Sequence, residues 1–113
     1  MAAIISAGGK RDRVIEEPGY SNTLQKILAS QKEGCNRVSV RTLTIRPGGH
    51  TPRLESSSET VGHILEGTIL FMDGDGFLNS LKPGDTIIIR PHERHLFRNE
   101  SGSDAKILVI SSI

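Results

Sequence analysis

The sequence predicts an all-β protein, a sandwich or barrel of short antiparallel strands that folds as one domain over residues 1–113. From Arg37 onward, short runs of β-branched and aliphatic residues alternate with turn residues, and no long stretch has apolar residues at helical spacing. The length suits one compact domain, because two hydrophobic cores would each be too small to offset the entropy of the chain.

The N-terminal part gives a weaker pattern than the rest. Leu24, Ile27 and Leu28 have helical spacing, but nothing around them enforces a helix. Because the sheet that follows needs a covered edge, we predict N-terminal strands within about residues 1–36. The next strand spans Arg37 to Arg46 and is predicted to stop at Pro47-Gly48-Gly49, where proline removes a donor and the glycines permit a tight change of direction.

The middle of the chain predicts two strand segments and a hairpin. Thr60 to Met72 is extended but is interrupted at Glu66-Gly67, where a glycine allows the chain to bend. Asp73 to Gly76 supplies residues that tolerate positive φ. We therefore expect Ile69 to Met72 and Phe77 to Leu81 to pair around this turn.

The C-terminal part predicts three more strands. Lys82 to Asp85, with the sequence Lys-Pro-Gly-Asp, is a turn that leads into the β-branched run Thr86 to Arg90. Pro91 ends this run, and extended structure resumes at His95 to Asn99. Ala105 to Ile113 is predicted to close the sheet as the last strand.

Composition limits the classes of partner. Fourteen Lys and Arg oppose thirteen Asp and Glu, so the net charge of +1 provides little attraction to nucleic acid. The longest uncharged apolar run of the sequence is far shorter than a membrane span, and the first residues do not resemble a signal peptide. Cys35 is the only cysteine, and a lone thiol favours a reducing compartment. We therefore expect a cytoplasmic protein that binds neither nucleic acid nor membrane.

Several short motifs occur in an order that is typical of one family. They are Arg46-Pro47-Gly48-Gly49, Ile64-Leu65-Glu66-Gly67, Lys82-Pro83-Gly84-Asp85, Pro91, and His95 to Asn99. In this order and spacing they resemble the two motifs of the cupin superfamily, and the resemblance covers about residues 37–113. The resemblance implies a cupin-type antiparallel jelly-roll β-barrel with a pocket between its two sheets.

The resemblance also implies where a metal site would lie. Metal-binding cupins carry His-x-His, then Glu or another His after three or four residues, then Gly seven residues further on. With Gly67 as that glycine, the Glu position falls on Thr60, the two His positions fall on Ser56 and Leu54, and the second motif supplies His95. One imidazole with two hydroxyls and an aliphatic group does not satisfy a divalent metal. We predict no standard metal site and no cofactor.

A one-residue shift of this register leaves an alternative metal site open. Glu59, together with His95 and either His50 or His63, would then hold an ion with substituted ligands. The alternation of side chains along a strand places Glu59 and His63 on the face opposite to Thr60, so His63 is expected to point away from the pocket.

His95 is the leading candidate for chemistry, because it lies where the last ligand of the family projects into the barrel. Without a metal it is expected to act as a general acid or base, with Glu59 as a second catalytic candidate, or to anchor a bound acid or hydroxyl. Arginine side chains nearby favour an anionic ligand. The predicted pocket residues are Arg53, Leu54, Ser56, Thr60, Gly62, Arg90 and His95.

The resemblance leaves two classes of function open, because cupins include both enzymes and binding domains. The first is a metal-free module that binds a small anionic or sugar-like molecule. The second is an isomerase, epimerase, cyclase or dioxygenase that uses His95, with or without a metal held by substituted ligands. In both cases we expect a homodimer, since a second copy covers exposed strand edges.

Overall fold

The computed structural model describes residues 2–113, which form nine β-strands and two short 3₁₀ helices. The helices are Ala7–Gly9 and Gln31–Glu33. The strands are β1 (Arg13–Val14), β2 (Ser21–Ala29), β3 (Val38–His50), β4 (Thr60–Glu66), β5 (Ile69–Met72), β6 (Leu78–Leu81), β7 (Thr86–Ile89), β8 (Leu96–Arg98) and β9 (Ala105–Ser112). The predicted all-β class is confirmed.

The strands form one curled antiparallel sheet with the order β6-β5-β8-β3-β9-β4-β7. Outside this order, β2 also pairs with β3, and β1 pairs with β2. β3 connects the two halves: Val38 to Ile45 pair with β9, whereas its last residue, His50, pairs with Arg98 of β8. The sheet therefore folds over on itself as a jelly-roll barrel.

The core lies between the two halves of this sheet. Alternate residues of β3, β4 and β9 point inward, so Leu43, Ile45, Ile64 and Ile107 are almost completely buried. Phe71 and Phe97 face them from the other half, with ring centroids 5.3 Å apart. Leu43, Phe97 and Val109 of this core also line a cavity inside the barrel.

The predicted end of β3 is wrong. The strand does not stop at Pro47 but continues to His50. Gly48 has φ of 78° and donates its N–H to the Asn99 carbonyl at 2.9 Å. Gly49 is buried where a Cβ would lie 2.7 Å from the Ser21 carbonyl oxygen. The two glycines bend the strand from one half of the sheet to the other, whereas the prediction assumed that they ended it.

The other predicted breaks are confirmed. Gly67 has φ of 71° and separates β4 from β5. β5 and β6 form the predicted hairpin, whose turn is held by the Asp73 carboxylate, which accepts the N–H groups of Asp75 and Phe77 at 2.9 and 3.0 Å. In the next turn Gly84 has φ of 95°, as the third position of a type II turn requires.

The N-terminal region forms strands, as predicted. β2 pairs with β3 along most of its length, so the helical spacing of Leu24, Ile27 and Leu28 does not produce a helix. Glu33 is bonded to Lys10 and to the Ser30 side chain, and these bonds hold the pKa of Glu33 down to about 2. The Lys10–Glu33 ion pair ties the segment before β1 to the turn after β2.

No described helix is long and apolar enough to cross a membrane.

Candidate functional site

A cavity of about 140 Å³ opens inside the barrel between the β3-β9-β4-β7 half and β8. Its walls combine apolar and polar side chains. The apolar ones are Leu43, Leu54, Ile89, Phe97 and Val109, and the others are Tyr20, Arg41, Glu55, Ser56, Thr60, Gly62, His95 and Ser111. The cavity is smaller than the roughly 300–1,000 Å³ of a typical drug-sized site, so it suits a small molecule.

Strand register aligns the polar groups on one wall. Arg41, Val109 and Gly62 are direct neighbours across β3, β9 and β4. In the next row, Thr60 lies opposite Ser111, and the two hydroxyls are hydrogen-bonded at 3.0 Å. This wall therefore presents one guanidinium and two neutral hydroxyls to the cavity.

Gly62 keeps the centre of this wall open. A Cβ at this position would lie 3.0 and 3.2 Å from Cγ1 and Cδ1 of Ile87, which is tighter than ordinary contact. Any larger residue would also occupy the space between Thr60 and Ile64, which share its face of β4. The absence of a side chain at residue 62 thus helps to keep the cavity open.

His95 faces this wall from the other side of the cavity. It is buried, and its backbone exchanges two hydrogen bonds with Leu54, at 2.6 and 2.9 Å. The imidazole stacks on Phe71 at 6.0 Å between centroids and meets the edge of Phe97 at 6.2 Å. Packing against two aromatic rings fixes the orientation of the imidazole.

A hydrogen bond also fixes which nitrogen of His95 carries the proton in the neutral ring. Nδ1 lies 3.0 Å from the Glu93 carbonyl oxygen, which can only accept. Nδ1 is therefore the donor, and Nε2 of the neutral ring is left with a lone pair. His95 consequently offers an acceptor or base at Nε2.

Arg41 is the cation that the sequence analysis did not place in the site. It is half-buried, and its Nη1 donates to Gln25 Oε1 at 2.8 Å, which positions the guanidinium from the neighbouring strand. None of the ion pairs among residues 2–113 includes Arg41. A partly desolvated guanidinium without a carboxylate partner is suited to bind an anion.

Tyr20 lies beside Arg41 at the same cavity. Partial burial raises the pKa of the Tyr20 phenol above its ordinary value of 10.0, the charge of Arg41 lowers it, and Glu17 raises it. The net effect is a raised pKa, so the phenol stays protonated and able to donate at neutral pH.

We expect an absorbance titration to show this effect directly. Tyr20 is the only tyrosine and the chain has no tryptophan, so phenolate absorbance reports this residue alone. The midpoint is expected above pH 10.0, and Arg41→Gln should move it further up, because the charge that lowers the pKa is lost. The folded chain keeps the Tyr20 proton to a higher pH than the unfolded chain does. The free energy of unfolding is therefore expected to fall as pH rises above 10.0. A midpoint at or below 10.0, or a downward move in the variant, contradicts the arrangement.

The mouth of the cavity carries Glu55 and Ser56. Glu55 forms an exposed ion pair with Arg94, with Oε2 and Nε 3.7 Å apart. The Ser56 carbonyl accepts the N–H of His92 at 2.7 Å, which joins the loop after β3 to the loop after β7. Both loops border the entrance.

Five of the seven predicted pocket residues line the cavity: Leu54, Ser56, Thr60, Gly62 and His95. Arg53 and Arg90 do not. Arg53 is exposed with Nη2 3.2 Å from the Met72 sulfur, and Arg90 is exposed at the end of β7. Both follow strand ends, where no alternation rule fixes the direction of a side chain.

The residues of the alternative metal site are not brought together. Glu59 is exposed and outside the cavity lining, so its predicted catalytic role has no support in this geometry. His50 Nδ1 lies 3.2 Å from the Thr51 carbonyl, and His63 Nδ1 lies 2.8 Å from Thr86 Oγ1 on the outer face of β4. Within residues 2–113, no group of three or more His, Cys, Asp or Glu side chains is placed to hold a metal ion.

The donor set of the cavity does not fit the divalent metal that the resemblance implies. Leu54, Ser56 and Thr60 line the same cavity as His95, and they contribute one aliphatic group and two neutral hydroxyls. The carboxylate at the mouth, Glu55, is engaged with Arg94. A first-row metal takes three or four imidazole, thiolate or carboxylate ligands, which these positions do not provide.

The sequence analysis missed four polar or charged lining residues, Tyr20, Arg41, Glu55 and Ser111, and four apolar ones, Leu43, Ile89, Phe97 and Val109. The sequence did contain a signal for Arg41. Residues 41, 43 and 45 share the inward face of β3, so Arg41 is a charged residue on the same face as Leu43 and Ile45. Tyr20 precedes β2 and had no comparable signal.

Comparison with known proteins gives the family. The cupin domain model matches residues 41–111, and the chain belongs to this family. The polyketide cyclase RemF from Streptomyces resistomycificus is similar in structure, with a TM-score of 0.89 and 25% identity, covering 99% of this chain and 80% of that one. No curated protein matches the sequence significantly.

Two further solved structures share the fold. A predicted oxalate decarboxylase from Thermotoga maritima has a TM-score of 0.85 and 17% identity, covering 98% of this chain and 99% of that one. A sugar phosphate isomerase of the cupin superfamily from Silicibacter pomeroyi has a TM-score of 0.76 and 17% identity, covering 98% and 76%. The predicted cupin-type jelly-roll barrel is thereby confirmed.

Proposed function

We propose that this cupin binds a small organic anion inside the barrel, without a standard metal site. The observation that supports this most strongly is Arg41, a half-buried guanidinium that lines a cavity of mixed apolar and polar walls and takes part in no ion pair of residues 2–113. An anionic group on a ligand supplies the missing partner and offsets the cost of burying the charge.

The walls suggest how such a ligand lies. Its acidic group pairs with the Arg41 guanidinium, beside the Tyr20 hydroxyl. Its apolar body packs against Leu43, Val109 and Phe97. A hydroxyl or N–H at its other end donates to His95 Nε2. The guanidinium favours an acid over a neutral sugar, because a neutral sugar leaves the charge of Arg41 unpaired.

Matched pairs of small carboxylic acids and their primary amides test the proposal, with binding followed by calorimetry on the full chain. The acids are expected to bind more tightly than the amides, since an amide lacks the charge that Arg41 pairs with. Equal binding of acids and amides contradicts the proposal. Elemental analysis of protein purified without chelator tests the metal-free part: stoichiometric metal in the wild type that is lost in His95→Leu contradicts it.

His95→Leu is expected to weaken the binding of hydroxy acids about tenfold, because the hydrogen bond to Nε2 is lost. His63→Leu is the matched control, since His63 lies on the outer face of β4 and bonds to Thr86. The His63→Leu variant should bind hydroxy acids with the affinity of the wild type. If both variants bind hydroxy acids equally well, His95 is not an anchor of the ligand.

A second candidate function is proton-transfer catalysis of the cyclase or isomerase class. Two observations favour it: the likeness to a protein described as a polyketide cyclase, at 25% identity over 99% of the chain, and the presence of an imidazole and a phenol in one cavity. His95 Nε2 would accept a proton and Tyr20, with its raised pKa, would donate one. Loss of turnover in both His95→Ala and Tyr20→Phe supports this candidate, and unchanged turnover in either removes it.

We also infer a reducing compartment such as the cytoplasm. Cys35 has no second cysteine with which to form an intramolecular disulfide, and the chain is stabilised by its apolar core instead. Localisation of a fluorescent fusion of the full chain tests this inference.

A further inference from the structure

A basic groove lies between β2 and the segment that leads into β1. Its volume is about 250 Å³, and its lining residues are Gly9, Lys10, Arg11, Arg13, Gln25 and Ile27. We call these six residues the basic groove. Register places Arg13 opposite Gln25, and Gln25 opposite Leu43 of the core. The groove therefore lies on the face of the sheet that also carries the core, beside the barrel cavity.

Two guanidinium groups of the basic groove have no acidic partner. Arg11 and Arg13 are exposed and take part in no ion pair of residues 2–113. Lys10 differs from them, because it is paired with Glu33. Asp12, which lies between the two arginines in the chain, lines a different cavity. The groove therefore carries two unpaired positive charges, although the net charge of the whole chain is only +1.

Gln25 adds hydrogen-bond donors to the basic groove. One atom of its carboxamide lies 2.8 Å from Arg41 Nη1, and a guanidinium can only donate, so this atom is Oε1. The amide nitrogen is then turned away from Arg41, and its N–H groups are available to the groove that Gln25 lines. Arg11, Arg13 and Gln25 thus offer donors and positive charge to the same space.

We propose that the basic groove binds a phosphate group, either as the free ion or as the phosphate of a small organic molecule. A phosphate monoester carries a charge of about −1.5 to −2 at pH 7, which matches two unpaired guanidinium groups. Its three terminal oxygens accept from two guanidinium forks and one amide. A carboxylate has only two oxygens and one charge, so it would leave some of these donors without a partner.

The spacing of the two arginines also favours a dianion. Arg11 and Arg13 are two positions apart, so their Cα atoms are separated by at most about 7 Å. Both side chains line the same groove. Since the Debye length is about 8 Å at physiological ionic strength, the two guanidinium groups repel each other when no anion is bound. A dianion between them replaces this repulsion with two attractive interactions.

Calorimetric titration of the full chain with inorganic phosphate, in a buffer without other multivalent anions, tests the site. The wild type is expected to bind phosphate saturably, with one ion per chain. Arg11→Gln and Arg13→Gln should each raise the dissociation constant at least about tenfold, because each variant loses a charge-assisted hydrogen bond. Gln25→Glu should remove measurable binding, since it replaces the amide donors with a carboxylate. Arg37→Gln is the matched control: Arg37 is exposed outside the groove, so the affinity should stay within about twofold of the wild type.

Three results would overturn the inference. The first is a wild type without saturable phosphate binding. The second is binding that both arginine variants, or Gln25→Glu, leave unchanged, because the phosphate then lies outside the basic groove. The third is an equal loss in Arg37→Gln, because the phosphate then responds only to net charge. Thermal unfolding of each variant checks the fold: if Gln25→Glu does not fold, the exposed residues Arg11 and Arg13 carry the test.

Methyl phosphate, titrated in parallel, separates the two sources of the phosphate group. Binding at least as tight as that of inorganic phosphate identifies an organic phosphate as the ligand, and weaker binding identifies the free ion. The comparison of carboxylic acids with amides inside the barrel is independent of this result, because it depends on Arg41 and not on Arg11 or Arg13.

Discussion

Arg41→Gln is expected to weaken the binding of a small carboxylic acid by about 2–4 kcal/mol, or roughly 30- to 1,000-fold in Kd. The guanidinium is partly buried and its Nη1 is held by Gln25, so it is pre-oriented and not competed for by a carboxylate of residues 2–113. Glutamine keeps a terminal N–H donor on a shorter side chain and carries no charge. Calorimetric titration of variant and wild type with the same acid measures the effect.

Matched controls make this result specific. Arg90→Gln removes a guanidinium that is exposed and outside the cavity lining, and affinity should stay within about twofold of the wild type. Arg41→Lys keeps the charge but loses the planar fork, so an intermediate loss is expected. If Arg90→Gln weakens binding as much as Arg41→Gln, the acid does not bind in the barrel.

Gly67→Ala is expected to destabilise the fold by about 3–5 kcal/mol, a large part of the total stability of a small domain. Gly67 has φ of 71°, and a Cβ there would overlap the Asp104 carbonyl oxygen and lie 2.9 Å from Ala105 Cα. The left-handed conformation costs alanine about 1–2 kcal/mol, and displacing the backbone before β9 adds the rest. Thermal unfolding should show Tm lowered by at least about 10 °C.

Gly76→Ala isolates the conformational part of that cost. Gly76 has φ of 84°, but a Cβ there would meet nothing within 4 Å. Only the left-handed penalty of about 1–2 kcal/mol is expected. Comparable losses of Tm in the two variants would show that the close approach of β9 at Gly67 has no energetic effect.

The contrast between these two glycines shows how far local sequence information extends. Asp73 to Gly76 was predicted as a turn and is one, because an Asp side chain that accepts backbone N–H groups and a glycine with positive φ act within five residues. Gly67 was predicted as a break for the same local reason. The packing of the segment before β9 against it depends on residues almost forty positions away, which no local pattern encodes.

β3 shows the opposite case. Pro47, Gly48 and Gly49 predicted the end of a strand, but the chain stays extended because distant partners pair with it: Ser21 and Arg98 both pair with His50. Loop residues show a related difficulty. Arg53 and Arg90 were predicted to face the pocket, but both follow strands and neither lines it. Inside strands, by contrast, alternation correctly placed Gly62 in the lining and His63 on the other face.

The sequence by itself determined the all-β class, most strand bounds, the cupin motifs and the position of His95, because each depends on local periodicity, turn chemistry or an ordered motif. Only the tertiary structure decided that Arg41 and Tyr20 share a cavity with His95. These groups come from strands and loops far apart in the chain. They are brought together by sheet closure and strand register, which arise from long-range pairing and are not encoded in any single segment.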